Sequence, residues 1–142
     1  PRFAARLAGL AGAALLAVAS TAAAQERPIL EMAGASIREL AAHGELAGVF
    51  RSAVRGRQAI VAAALRAPVT VPVEVTDGRW LAARACAVEG CSRLGMFLGW
   101  DAQAARMYLV LVENGGLVIV VPPAMTRWPA AFAPHVAALR GE

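Results

Sequence analysis

Val69, Val71, Val73 and Val75 alternate with Thr70, Pro72, Glu74 and Thr76, and Asp77-Gly78 follows at once. A period of two belongs to a strand with one buried face, and an Asp-Gly pair behind it is a tight hairpin turn. The middle of the chain is therefore committed to antiparallel pairing, with Arg79–Cys86 as the returning strand. Pro72 has no N–H to give to a ladder, which places the first strand at a sheet edge or at a bulge.

The same signals recur downstream. Arg93–Trp100 and Arg106–Glu113 read as strands joined by the polar connection Asp101–Ala105, and Asn114-Gly115-Gly116 is a second hairpin signal before the apolar run Leu117–Val121. Pro122-Pro123 ends the sheet at about five strands. Upstream, Ser36-Ile37-Arg38-Glu39 has the spacing of a capping box. Apolar residues from Ile37 to Val54 recur at three- and four-residue steps, which predicts a short helix near 36–42, a longer one near 45–55 and a stop at Gly56. Ala59–Leu65 is apolar throughout and carries no period of its own. The tail Trp128–Leu139 predicts one or two short helices interrupted by Pro129 and Pro134. The fold class is α+β, a central antiparallel sheet with helices at both ends of the chain, which are expected to cover one face of it.

At 142 residues, with 58% apolar and 17% charged side chains, the chain is the size of one domain and too hydrophobic for a disordered one. All 14 cationic residues are Arg and none is Lys. They are scattered, and only Arg51, Arg55 and Arg57 approach a patch, so the formal charge of +4 gives no nucleic-acid footprint. Two of these arginines, Arg2 and Arg6, precede the uncharged stretch Leu7–Ala24, which ends in small residues. That is the pattern of a cleavable secretory signal peptide over 1–24, followed by one domain over 25–142 of formal charge +2. A membrane anchor is the competing reading. The small-residue end and the Ala/Gly-rich composition favour cleavage, export to the periplasm and no stable anchor.

Cys86 and Cys91 fall in the exported part, with four residues between them, at the junction of two predicted strands. In an oxidising compartment so short a loop is well placed to close as a disulfide, either as a plain staple or as the tip of a functional protrusion. Redox catalysis of the thioredoxin kind needs C-x-x-C, and zinc needs ligands beyond His43 and His135, both expected at the surface or at a helix cap. Neither a G-x-S-x-G elbow nor a phosphate loop occurs. Glu74, Asp77, Glu89 and Asp101 have ordinary readings as strand-face, turn or loop residues. No metal, cofactor or catalytic set is expected.

Phe50-x-x-x-Val54-x-Gly56, then Asp77-Gly78-x-Trp80 leading into the C-x4-C loop, a strand ending in Trp100, and Met107-Tyr108-Leu109 together resemble the inhibitor of vertebrate lysozyme family, Ivy, over roughly residues 36–116. The resemblance implies a small periplasmic domain that is not an enzyme and is often a homodimer. It also implies a protruding, disulfide-closed loop, C-K-P-H-D-C, that plugs the cleft of C-type lysozymes with its His at the catalytic carboxylates. Here the cysteines match Cys86 and Cys91, while Ala87, Val88, Glu89 and Gly90 stand at the four partner-binding positions. The implied partner is a C-type lysozyme or a lytic muramidase of the cell itself.

These replacements carry chemical consequences. A lysozyme cleft pairs a protonated acid with an ionised carboxylate, and an imidazole suits both. Glu89 accepts a hydrogen bond from the acid and repels the carboxylate, on the order of 4 kcal/mol for charges about 4 Å apart at an effective dielectric of about 20. Without the Pro, and with Gly90, the loop has more backbone freedom to lose on binding.

Overall fold

A computed structural model describes residues 12–14 and 26–141 of the protein. The predicted signal segment thus lies, apart from 12–14, outside the described residues. Three short helices, α1 (Ile37–Ala42), α2 (Ala47–Ala53) and α3 (Gln58–Leu65), precede five strands, and α4 (Ala133–Leu139) follows them. The strands are β1 (Val69–Thr76), β2 (Trp80–Ala87), β3 (Gly90–Asp101), β4 (Arg106–Glu113) and β5 (Gly116–Val121), antiparallel in the order β1-β2-β3-β4-β5.

Local chemistry sets these elements as the sequence predicts, with three differences. The capping box is formed: the Glu39 N–H donates to Ser36 Oγ at 3.1 Å and the Ser36 N–H to Glu39 Oε2 at 2.7 Å. Asp77 and Asn114 both take positive φ, the conformation that Asx-Gly hairpin turns require. The apolar run at 59–65 is a helix, and Asp101 belongs to β3 rather than to the connection after it. The third strand starts at Gly90, not at Arg93, because Gly90 already pairs with Ala87 across a two-residue turn.

Pro72 sits at an edge and at a bulge together. The register moves from Val71↔Arg84 to Glu74↔Ala82, one extra residue in β1, and such a slip turns the remaining side chains to the other face. Val73 and Val75 consequently join the core beneath the N-terminal helices, whereas Val69 is left 53% exposed. The bulge also frees the Val73 backbone, whose N–H donates to Ala35 O and whose carbonyl accepts from Gly34 N. That pairing shields part of the β1 edge.

The helices cover both faces of the sheet, not one. Leu81, Met96, Leu98, Leu109 and Leu111 pack with Ile37, Leu40, Leu46 and Phe50 on one face. Phe97, Tyr108, Val110 and Val112 pack with Phe132 and Leu139 on the other. The near-continuous burial of β2 and β4 follows from this double cover. Each fully buried Leu or Met contributes roughly 1.5–3 kcal/mol. Gly99 makes the second layer possible, since a Cβ there would stand 2.8 Å from Phe97 Cζ and 2.9 Å from Phe132 Cζ.

Candidate functional site

Cys86 and Cys91 form a disulfide at the end of the β2–β3 hairpin. Between them the chain reverses in two residues, Val88 and Glu89, flanked by the pair Ala87↔Gly90. Gly90 has φ +124°, which L side chains rarely adopt, so the reversal depends on glycine there. Val88 is 75% exposed, more than any other large apolar side chain described, and Glu89 beside it is exposed as well.

The base of this tip is built from β3. Cys86 pairs with Gly95 but Ala87 with Gly90, so Cys91–Leu94 leave the ladder with β2 as a broad bulge, while Leu94 keeps its pairing with Glu113 of β4. The bulge does not hang free. Its Ser92 and Arg93 carbonyls accept the backbone N–H groups of Gly115 and Asn114 at 2.7 and 3.0 Å, and the Arg93 guanidinium donates to the Asn114 side chain. Gly95 leaves room for the fold-back: a Cβ there would meet the Cys91 carbonyl at 2.6 Å and Leu139 Cδ2 at 2.7 Å. The tip is thus tied covalently to β2, by hydrogen bonds to the β4–β5 turn, and by packing to α4.

At the opposite end of the same strands Arg79 donates two hydrogen bonds at 2.9 Å to the buried Asp101, and its guanidinium lies 4.1 Å from the Trp80 ring centroid. The Arg79 pair is the largest influence on Asp101 and holds it down to about 2, against the desolvation of burial and with help from the N–H groups of Ala104 and Gln103. Every oxygen of this carboxylate is occupied within the fold, so Asp101 has a structural role.

His43 and His135 are both buried, which corrects the surface expectation. His43 does cap α1: its Nδ1 accepts from Glu45 N and its Nε2 donates to Arg27 O. His135, on α4, stacks on Phe97 and accepts from Arg84 Nη1 at 3.1 Å through Nδ1, which leaves its proton on Nε2, 3.6 Å from Glu74. Burial foremost, then the Arg84 charge, depress its pKa; Glu74 opposes them. Sequence reading missed this contact between residues 51 apart. Its one available signal was an arginine within an otherwise apolar strand, β2. Among the described residues no three His, Cys, Asp or Glu side chains converge as a metal site.

No curated protein and no solved structure matches the chain. The family model "Inhibitor of vertebrate lysozyme (Ivy)" matches residues 45–141, more than half of the chain, and takes in the disulfide tip and the whole sheet. A disulfide at C-x4-C spacing on a five-stranded antiparallel sheet between helical ends agrees with that match, and the chain belongs to the inhibitor of vertebrate lysozyme family, a family of inhibitors rather than enzymes.

Proposed function

We infer that the protein is exported to the periplasm and restrains a C-type lysozyme or a related muramidase by entering its cleft with the turn Ala87–Gly90. The observation that carries this reading is Val88, held 75% exposed on a covalently closed turn. Folding gains nothing from an apolar side chain placed there, whereas a partner's cleft would desolvate it. Closure by the disulfide also means that little backbone entropy remains to be lost on binding. Export is supported by the Arg-led apolar segment over 1–24 and by the disulfide itself.

The test is lysis of peptidoglycan by a C-type lysozyme in the presence of the purified chain from residue 25 onward. Inhibition is expected at micromolar protein and is expected to vanish when Val88-Glu89 becomes Gly-Gly. Failure to inhibit any C-type lysozyme at that concentration refutes the reading. One observation favours a second reading, an envelope protein that keeps the fold without inhibition: none of the four residues between the cysteines is the one the family's loop carries. In that case the Gly-Gly variant leaves the lysozyme sensitivity of the cells unchanged.

A further inference from the structure

Val69, Cys86, Gly95, Val112 and Leu117 stand opposite one another, one from each strand, in a single row across the sheet. Directly paired residues project to the same face. Cys86 and Val112 lie on the face that α4 covers, so the whole row points there. The row spans about 19 Å at the usual strand spacing of roughly 4.8 Å. Leu139, the last residue of α4, fills its centre above Gly95. Both ends stay uncovered, with Val69 53% and Leu117 54% exposed. Together with Val88 they make three of the five exposed large apolar side chains among the described residues, all at the tip end of the sheet.

The two ends of the row differ. Val69 lies on the edge strand β1, whereas Leu117 borders a cleft of about 330 Å³ formed with Ser92, Val112, Gly115, Leu139 and Arg140. Val112, Leu117 and Leu139 give it an apolar lining, and Arg140, which also lines it, makes no ion pair among the described residues. A four-residue turn falls well short of the roughly 800 Å² per partner that a stable protein–protein interface covers, so an inhibitor needs contact beyond its tip. Of the exposed apolar groups, Leu117 is the one continuous with both the tip and a concave site.

We propose that Leu117 and this cleft are a second anchor for the same muramidase, receiving an apolar side chain from the rim of the enzyme's cleft with a carboxylate or carbonyl beside it at Arg140. The proposal rests on the inhibitory reading of the turn, and the two are separable. The experiment compares Leu117→Asp, Arg140→Glu and Val49→Asp for inhibition of a C-type lysozyme, with amide exchange measured in the complex. Val49 is 47% exposed on α2 and serves as the control. Leu117→Asp is expected to raise the inhibition constant at least tenfold and Arg140→Glu about threefold. Val49→Asp is expected to change it less than twofold, with all three variants keeping the parent's melting temperature within a few degrees. Lysozyme is expected to slow exchange at 116–118 as well as at the turn. Wild-type affinity in Leu117→Asp with no protection at 116–118 overturns the second anchor while leaving the turn in place. A change of self-association in that variant without a change in inhibition also overturns it. Absence of inhibition by the wild type overturns both.

Discussion

Arg79 and Asp101 close one end of the β2–β3 pair through two hydrogen bonds between opposite charges, and Cys86 and Cys91 close the other through a covalent bond. At the first end the carboxylate is buried and every acceptor is taken, by Arg79 and by the N–H groups of Gln103 and Ala104. At the second the staple is buried on one side only, and beyond it an apolar and an anionic side chain face solvent. Both ends are thus fixed, but their polar and apolar groups are treated in opposite ways. A closure that uses all its groups internally serves the fold, whereas one that leaves groups facing water leaves them available for the recognition proposed above.

Four changes break or sharpen this contrast, from the largest effect to the smallest. Replacing both cysteines by Ser opens a loop of six residues and is expected to cost about 2 kcal/mol in denaturant unfolding. The same variant is expected to lose inhibition about thirtyfold, because the turn must then be ordered on binding. Glu89→His supplies an imidazole that suits both states of a lysozyme carboxyl pair and is expected to improve inhibition about tenfold without altering stability. Arg79→Ala leaves Asp101 buried without its main partner. A loss of stability smaller than that from opening the disulfide is expected, because Arg79 is itself exposed to solvent, with inhibition unchanged. If that substitution impairs inhibition as much as opening the disulfide does, the division of labour between the two ends is wrong.

The Arg79 effect also carries a pH signature. Asp101 has a folded-state pKa of about 2, below its ordinary value, so its contribution is present above the usual carboxylate range and disappears as the pH falls toward 2. The stability difference between the wild type and Arg79→Ala should therefore be largest above the usual carboxylate range and shrink as the pH falls toward 2, as followed by denaturant unfolding at several pH values. The smallest effect concerns α4. The pKa of His135 is depressed in the fold, so the unfolded chain binds its proton more readily, and stability falls as the pH drops below the imidazole's ordinary range. A modest decrease in melting temperature between pH 7.5 and 5 checks this, and His135→Phe should remove it.

Much of the sheet was legible because its signals are local. Asp77-Gly78, Asn114-Gly115 and the Ser36–Glu39 box each specify a turn or cap within four residues, and each is where the sequence puts it. The valine alternation was legible as a strand but not as a bulged one: Val69 and Val75 obey the same period yet face opposite sides, and only the pairing with β2 shows the slip. The double cover lay in the unbroken apolar runs of β3 and β4, which alternation does not describe. At the site, the cysteine spacing led to the turn, while the Val69–Leu117 row and the Arg84–His135 contact join residues far apart in the chain that only the assembled sheet brings together.

Gly95 has a consequence for how such a molecule changes over time. Because the bulge and Leu139 rest on its bare backbone, the support of the tip is fixed by residues outside the turn. Val88 and Glu89 lend no packing to either core, so mutation can rewrite them at almost no thermodynamic cost. On the proposed reading the scaffold works as a socket, and the two residues it displays are an exchangeable key that selection, or an engineer, can recut for another lock.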